Sequence, residues 1–593
     1  MTTSRIGDLL PVPPPRTAPA PDTAPRIRRG GTGAIVTTAL VVLASVPGLA
    51  GLLDLWRERG EPYLPSGDHA LLTIAVDAVG QHEVLLGAYS RFGWYHPGPM
   101  ATYLMAGPYY VLGGALQSLS ASMLLVSAVS AAASVWLVHR RAGVLVALWA
   151  LVAITLTVHL LGGEFLRDPW NPYLPVLPFL AGTLLCWTAI RGEAWALPVT
   201  VVPLSLAAQS HVGYLPAVAS VGAALCAGLL VRAIRRARRR SPGTAAADSG
   251  RPRRSPWRWL LASVVGFATG IVLWLPPIVQ QVTGTPGNAG VLYDHLVRSS
   301  PEEPAGLATG LRIVADEFGR LPAHLVGAGP STDVPLLPER WPALAIAVGI
   351  ALFAGAMAVA VGRRRGDALW LGGLTLTLAA AGVAAAARID GLPFPYLVQW
   401  IVVIGILAWI TVGVSLLPEL EHLVRRARGR RVARVRPGTV LGVALAAGAV
   451  AAVLVAAIGV GRADTPASDA TGEITALERA VVEDLDRLGL RTGPDAPVVR
   501  VDFAGTSRTD VFIGTPDPGT GLVLGLYLAG VDVQVSDFWR VSYGPRLTDR
   551  ADEAGYVATV AFADGSSPPP EPWQQVLAVA GEFAVYGGMP PGE

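Results

Sequence analysis

The chain has 593 residues, of which 52% are hydrophobic and 15% charged, and its formal net charge is +3. Its mean hydropathy of +0.47 is well above that of a soluble domain of this size. Apolar runs of roughly 20 residues recur from Ala34 to Val460, and each can cross a hydrocarbon core about 30 Å thick as a helix. These features exclude a soluble multidomain enzyme, and the lack of strand-like alternation in the runs excludes a membrane β-barrel.

The N-terminal segment is rich in Pro, Thr and Ala, and Arg26, Arg28 and Arg29 come just before the first apolar run. This composition predicts a disordered cytoplasmic leader over 1–33. No convincing small-residue cleavage site follows the run from Ala34 to Leu53, so this run is predicted to remain as a signal-anchor helix.

Eleven apolar runs are predicted to span the membrane as helices. Arginine clusters separate several of these runs, and the positive-inside rule places those clusters in the cytoplasm. The clusters lie at 139–141, 191, 232–258, 363–365 and 425–436. The predicted spans are approximately 34–53, 119–138, 142–161, 172–190, 195–210, 212–231, 259–280, 341–361, 368–387, 396–417 and 438–460. The N-terminus is then cytoplasmic. The external segments are the loops 54–118, 162–171 and 281–340, the turns 210–212 and 388–395, and the C-terminal tail.

One further apolar segment, Gly98 to Gly114, is predicted to lie along the membrane surface. If it crossed the membrane, Arg140 and Arg141 would fall outside and every later loop would invert. Its proline and glycine residues also interrupt a run that is already at the short limit for a span. We therefore predict a juxtamembrane helix there.

The tail from Asp464 has 20 acidic residues and 8 Arg, a net charge of −12, which leaves +15 for the rest of the chain. Ile474 to Leu490 has apolar residues at helical spacing, and strand-like pieces follow at Val498 to Phe503, Val531 to Val535 and Tyr556 to Phe562. A further helix is predicted near Leu522 to Leu528. The segment 462–593 is therefore predicted to form a small extracytoplasmic α/β domain.

Ionisable and amide side chains collect at the outer ends of the predicted spans, whereas the spans themselves contain almost none. An ion-coupled transporter usually needs charges near mid-membrane, so this distribution favours chemistry at the outer water interface. The residues concerned are Asp68, His69, Asp77, Gln81, His82, Glu83, Arg91, His96, Glu164, Arg167, Asp168, Asn171, Gln209, His211, Gln280, Gln281 and Arg388.

Two motifs in the first external loop, Gly67-Asp68-His69-Ala70 and Tyr95-His96-Pro97-Gly98-Pro99, resemble those of membrane-embedded GT-C glycosyltransferases. In the protein O-mannosyltransferases and lipid A aminoarabinose transferases of that superfamily, an acidic residue begins this loop, and a Lys-Pro or His-Pro-Pro motif later opens a juxtamembrane helix. The segment Asp168 to Pro172 is similar to the second external loop of these enzymes, and Trp274 to Pro277 is similar to an uncharacterised actinobacterial branch. The resemblance implies a GT-C-like transmembrane domain over 34–461. One departure is that His69 stands where an adjacent acidic pair would have its second member.

The resemblance implies a donor sugar carried on a polyprenyl phosphate, whose phosphate is the leaving group. The enzyme must then deprotonate an acceptor hydroxyl and stabilise the departing negative charge. Asp68 is the predicted catalytic base, and the alternative is that it caps the helix beginning at His69. Asp168 is predicted to assist the base or to hold a divalent cation, Mg²⁺ or Mn²⁺, and an ion pair with Arg167 is equally consistent with its position.

The remaining candidates are expected to contact the donor or the acceptor. His96 is predicted to bind the donor phosphate or the acceptor, with an ordinary interfacial histidine as the alternative. Gln209 and His211 flank a tight external turn, where an acceptor contact and a structural hydrogen bond both remain open. Arg388 ends an apolar span at the outer face, against the positive-inside bias, and this marks it as a ligand of the donor phosphate. Snorkelling or a salt bridge with Asp390 is the alternative.

The function predicted from these features is that of a metal-optional, inverting glycosyltransferase of the plasma membrane. It would move a sugar from a polyprenyl-phosphate donor to a cell-envelope glycan, lipid or protein acceptor on the outer face, with no required cofactor and no nucleic-acid partner. The alternatives are a polytopic transporter or flippase for a lipid-linked envelope precursor, and a non-catalytic glycan-binding envelope scaffold.

Overall fold

Helices make up most of the structure, a computed structural model that describes residues 31–90, 92–238, 256–297, 303–331, 337–427, 437–491, 496–504 and 518–591. Most of the predicted leader 1–33 and most of the basic segments 232–258 and 425–436 lie outside these residues. The helices are α1 (Gly31–Glu58), α2 (Gly67–Asp77), α3 (Met100–Val111), α4 (Ser118–Ala142), α5 (Val144–Leu160), α6 (Val176–Ile190), α7 (Ala196–Ser210), α8 (Leu215–Arg238), α9 (Pro256–Thr283), α10 (Asn288–Val297), α11 (Gly306–Leu325), α12 (Ala343–Gly362), α13 (Gly366–Ala387), α14 (Pro395–Val398), α15 (Val402–Ala427), α16 (Pro437–Val460), α17 (Thr471–Leu488), α18 (Pro518–Leu528) and α19 (Arg540–Tyr543).

An apolar helix occupies each of the eleven predicted spans. In the described part of the chain, eight helical segments are long and apolar enough to cross a membrane by length and composition. The other three, α5, α6 and α7, are shorter apolar helices of 17, 15 and 15 residues. The start of α6 is later than the predicted residue 172, because the segment up to Pro175 forms turns. The chain is thus a multi-pass helical membrane protein.

The segment predicted as a juxtamembrane helix contains α3, which is only 12 residues long. Pro97 and Pro99 precede it, and Gly113 and Gly114 follow it with φ values of 67° and 83°, a conformation that favours glycine.

The loop predicted over 281–340 is more structured than expected, since it contains α10 and α11. Gly349 of α12 lies against the Phe318 carbonyl of α11, so the absence of a Cβ lets these two helices pack closely.

A small α/β domain follows α16. Its sheet has the order β2-β1-β3-β5-β4, with β1 parallel to β2 and β3, and with β3, β5 and β4 antiparallel. The strands are β1 (Val498–Phe503), β2 (Val533–Val535), β3 (Ala554–Phe562), β4 (Gln575–Ala580) and β5 (Phe583–Gly588). The domain and its first three strands are as predicted, whereas the β4–β5 hairpin was not. Helices α17 and α18 cover the sheet through buried side chains such as Leu477, Leu485 and Leu522.

Candidate active site

A cavity of about 1090 Å³ lies between α2 and the ends of α7, α8 and α13. Five of the six predicted site residues line it, and they come from separate parts of the chain. They are Asp68, His96, Asp168, His211 and Arg388. The linker between α16 and the C-terminal domain also reaches the cavity, through Ala467 and Asp469.

Asp68 lies in the first turn of α2, and its carboxylate accepts two hydrogen bonds from neutral groups. The Tyr89 hydroxyl donates to Oδ1 at 2.7 Å, and the Trp170 indole N–H donates to Oδ2 at 2.9 Å. The N-cap of α2 is Ser66, so the alternative that Asp68 caps this helix is wrong. Gly67 has a φ of 56°, which lets the chain turn sharply into the helix just before Asp68.

Asp168 belongs to the same hydrogen-bonded network. Its Oδ1 lies 2.8 Å from His69 Nε2 and accepts the Trp170 backbone N–H at 2.9 Å. Trp170 therefore joins the two acids, through its backbone to one and its indole to the other. The alternative pairing with Arg167 is wrong, because that buried guanidinium bonds Asp54 at the end of α1 instead.

Asp168 and Asp68 differ in the hydrogen-bond partners of their carboxylates. Burial lowers the pKa of His69, but the charge and hydrogen bond of Asp168, together with the charge of Asp68, outweigh it, so the net pKa of His69 is raised. Within the described residues, no basic nitrogen lies within 4 Å of the Asp68 carboxylate. Asp68 thus accepts hydrogen bonds only from neutral donors, while Asp168 has a cation-forming partner.

His96 and His211 lie side by side, with ring centroids 4.5 Å apart and ring planes tilted by 35°. Each ring accepts a backbone N–H at Nδ1, from Val212 and Gly213 respectively, at 3.1 Å. Burial lowers the pKa of both rings, to about 4 for His211, and the neighbouring His211 lowers that of His96 further. Both are therefore neutral at pH 7 with the proton on Nε2, where each ring has a hydrogen-bond donor to offer.

The structure does not bring Gln209 to the cavity surface with the other candidates. Its Nε2 donates to the Leu273 carbonyl at 2.8 Å, which joins α7 to α9. Its Oε1 has no hydrogen-bond partner among the described residues and lies against Gly98, where a Cβ would clash. The structural alternative for Gln209 fits this geometry better than an acceptor contact does.

Arg388 directly follows α13, is exposed, and is the one arginine lining the cavity in the described chain. No carboxylate of the described residues lies within 4 Å of its guanidinium, so the predicted alternative of a salt bridge with Asp390 is not formed. A guanidinium without an internal anionic partner has its hydrogen-bond donors available for an anion in the cavity.

Several further side chains also form the wall of the cavity. Trp170 stands 5.2 Å from Tyr396, and His295 of α10 lies 4.9 Å from Phe92 and 5.6 Å from Trp94, between ring centroids. Trp170 belongs to the Asp168 to Pro172 motif, so its sequence context carried a signal. Tyr89 and His295 lie in segments with no motif, and only the fold brings them here.

The described residues contain no group of three or more His, Cys, Asp or Glu side chains placed to hold a metal ion. Asp168 is the predicted metal ligand, and its Oδ1 already accepts two hydrogen bonds. The second carboxylate oxygen is the atom it could offer to a cation.

No protein-family model matches this sequence, and no curated protein matches it. Solved structures similar to this chain include ArnT from Cupriavidus metallidurans in the apo state, at a TM-score of 0.48 and 14% identity, covering 93% of this chain and 98% of that one. Another is the Archaeoglobus fulgidus oligosaccharyltransferase in the apo form, at a TM-score of 0.40 and 13% identity, covering 89% and 69%. Similarity at this level carries no inference about donor, acceptor or mechanism.

Proposed function

We propose that this protein transfers a sugar from a polyprenyl-phosphate donor to an acceptor of the cell envelope, at the outer face of the plasma membrane. The observation that carries this proposal is the pairing of two complementary groups in one cavity. Asp68 offers a carboxylate held only by neutral donors, and Arg388 offers a guanidinium without a carboxylate partner among the described residues. A base and an anion ligand on one cavity are what this transfer requires.

In the proposed reaction the acceptor hydroxyl attacks the anomeric carbon of the donor sugar. Its proton passes to the Asp68 carboxylate as the new carbon–oxygen bond forms. The bond between the anomeric carbon and the phosphate oxygen breaks, and its electron pair leaves with the polyprenyl phosphate. Arg388 holds the additional negative charge that develops on this phosphate. A direct displacement of this kind inverts the anomeric centre.

The other groups of the site have supporting roles in this proposal. Tyr89 and Trp170 fix the two oxygens of Asp68, so that the carboxylate presents a fixed lone pair to the acceptor. The neutral His96 and His211 offer Nε2–H donors to sugar hydroxyls or phosphate oxygens. Asp168 with His69 holds the loop that carries Trp170. A divalent cation is optional here, since the arginine already supplies a positive charge.

The test is consumption of a radiolabelled polyprenyl-phosphate sugar by the purified chain in lipid nanodiscs, with an envelope fraction as the source of acceptor. A panel of donor sugars is used, and release of polyprenyl phosphate is measured by chromatography. We expect turnover by the native chain and a loss of about 10²–10⁴-fold in Asp68→Asn, which cannot accept the proton. Asp502→Asn is the matched control, because Asp502 pairs with Arg500 on β1 and does not line the cavity.

The alternative functions give different results in the same system. A flippase would move intact donor between the leaflets of a liposome without releasing polyprenyl phosphate. A scaffold would bind glycan with neither activity, and Asp68→Asn would leave that binding unchanged. Absence of donor cleavage across the whole panel would reject the proposed transferase activity.

A further inference from the structure

The helix that carries Asp68 is shared between the membrane part and the C-terminal domain. Ala70 and Ile74 of α2 are buried in the hydrophobic core of that domain, which includes Leu477 and Leu522. On its other side α2 packs on α3, and Val76 belongs to a separate buried cluster. An 11-residue helix is too short to be stable alone. The position of α2 therefore depends on its packing against the C-terminal domain on one side and against α3 on the other.

The first turn of α2 is tied to α18 of the C-terminal domain. The backbone N–H of Gly67 donates to the Thr520 hydroxyl at 2.6 Å, and Thr520 is buried. The first N–H groups of a helix have no partner within the helix, so this hydroxyl satisfies one of them. Because Asp68 is the next residue, this hydrogen bond fixes the backbone directly beside the proposed base.

The last turn of α2 is tied to the same helix, α18. Asp77 accepts the Tyr527 hydroxyl at Oδ2 at 2.6 Å and the Tyr109 hydroxyl of α3 at Oδ1 at 3.0 Å. Arg546 donates to the Tyr527 hydroxyl at 3.2 Å and lies over its ring at 5.1 Å. Thr520 and Tyr527 are seven residues apart on α18, so they share one face and hold α2 at both ends.

We propose that the C-terminal domain is part of the catalytic machinery, with Thr520 and Tyr527 as positioning residues that set the location of the Asp68 carboxylate. This inference rests on the proposed function of Asp68 as the base. The positioning acts through α2 and involves no contact between these two residues and substrate. A displacement of about 1 Å in a reacting group can lower a rate by about a hundredfold, so modest slippage of α2 would be visible in turnover.

The test compares Thr520→Val and Tyr527→Phe, which remove the two hydroxyls and keep the shapes of the side chains. Thr520→Ser retains the hydroxyl and serves as the conservative variant. Tyr556→Phe is the matched control, because the Tyr556 hydroxyl also donates to an aspartate, Asp484, at 2.7 Å, but inside the C-terminal domain and away from α2. Each full-length variant is measured in nanodiscs for kcat, for donor KM and for hydrogen–deuterium exchange of the α2 amides.

We expect kcat to fall about tenfold or more in Thr520→Val and Tyr527→Phe, with donor KM unchanged because Arg388 follows α13 and is not part of α2. Exchange of the α2 amides should rise in the same two variants. Thr520→Ser should restore both properties, and Tyr556→Phe should leave both as in the native chain.

Unchanged α2 exchange and unchanged kcat in both hydroxyl-deleting variants would overturn the positioning role. So would an equal fall in kcat in Tyr556→Phe, because the cause would then be general weakening of the domain. Failure of the underlying function is distinguishable, because the native chain itself would then release no polyprenyl phosphate.

Discussion

Replacement of Arg388 by Ala tests how the proposed donor is held. Because no carboxylate of the described residues lies within 4 Å of this exposed guanidinium, its removal leaves no buried charge uncompensated. Stability should therefore change by no more than about 0.5 kcal/mol, as for an ordinary surface substitution. Hydrogen bonds to a charged group contribute about 1.5–3 kcal/mol each, and exposure favours the lower end. The donor Kd should thus rise about tenfold.

The assay is equilibrium binding of labelled polyprenyl phosphate to the chain in nanodiscs, with no acceptor present. Arg388→Lys keeps the charge but loses the planar pair of donors, so its Kd should rise about threefold, between the native value and that of Arg388→Ala. Arg462→Ala is the matched control, because Arg462 is an exposed arginine just after α16 and does not line the cavity. The difference between native and Arg388→Ala chains should also shrink as salt is added.

Native affinity in both Arg388 variants would show that this guanidinium does not hold the phosphate. The phosphate would then have to be held by other donors of the cavity, and His96 and His211 would be the next to test through their Nε2–H groups.

Three further predictions concern pH, the second acid and topology. Burial lowers the pKa of His211 from 6.5 to about 4, so the unfolded chain binds this proton before the folded chain does as the pH falls. The free energy of unfolding should therefore drop by on the order of 3 kcal/mol between pH 6.5 and pH 4. His211→Gln should remove this part of the pH dependence in denaturation measured from pH 4 to 8. Asp168→Asn should lower kcat only about tenfold, less than Asp68→Asn, because Asp168 acts through Trp170; an equal or larger loss would exchange their roles. With Cys186 and Cys226 replaced by Ser, an impermeant maleimide should label a cysteine at position 537 in intact cells, and one at 140 only after permeabilisation; external labelling at 140 would invert the topology.

The positions of the helices could be predicted from the sequence because membrane insertion depends on local composition. An apolar run of sufficient length forms a helix wherever it stands in the chain, so each predicted span contains one. The helix α3 was also predictable, since prolines before it and glycines after it limit its length. Helices α10 and α11 were not predicted. Their polar side chains distinguish them from a membrane span, so the whole segment 281–340 was assigned to a loop.

Four candidate residues were predicted to lie at the same ends of the spans, and all four line one cavity. They are Asp68, His96, Asp168 and Arg388. Their catalytic roles stay predictions. The partners of these residues were less predictable, because they depend on contacts between distant segments. An ion pair between Arg167 and its sequence neighbour Asp168 was one alternative, whereas Arg167 bonds Asp54, 113 residues earlier in the chain.

The C-terminal domain shows the same limit. Its first three strands carry β-branched residues bounded by turn residues, and they were predicted. The β4–β5 hairpin was missed because β4 is an edge strand with exposed Val576 and Val579, so its pattern lacks the usual alternation of buried and polar residues. The docking of α18 on α2 involves residues 450 and 453 positions apart, and no local pattern encodes it.

A structure of the chain with a non-reactive polyprenyl-phosphate sugar analogue bound would show directly whether Asp68 and Arg388 act on one donor. We expect the phosphate to lie on the Arg388 guanidinium and the anomeric carbon to face the Asp68 carboxylate, with room for an acceptor hydroxyl between them. An analogue bound outside this cavity, or with its sugar turned away from Asp68, would contradict the proposed roles of these two residues.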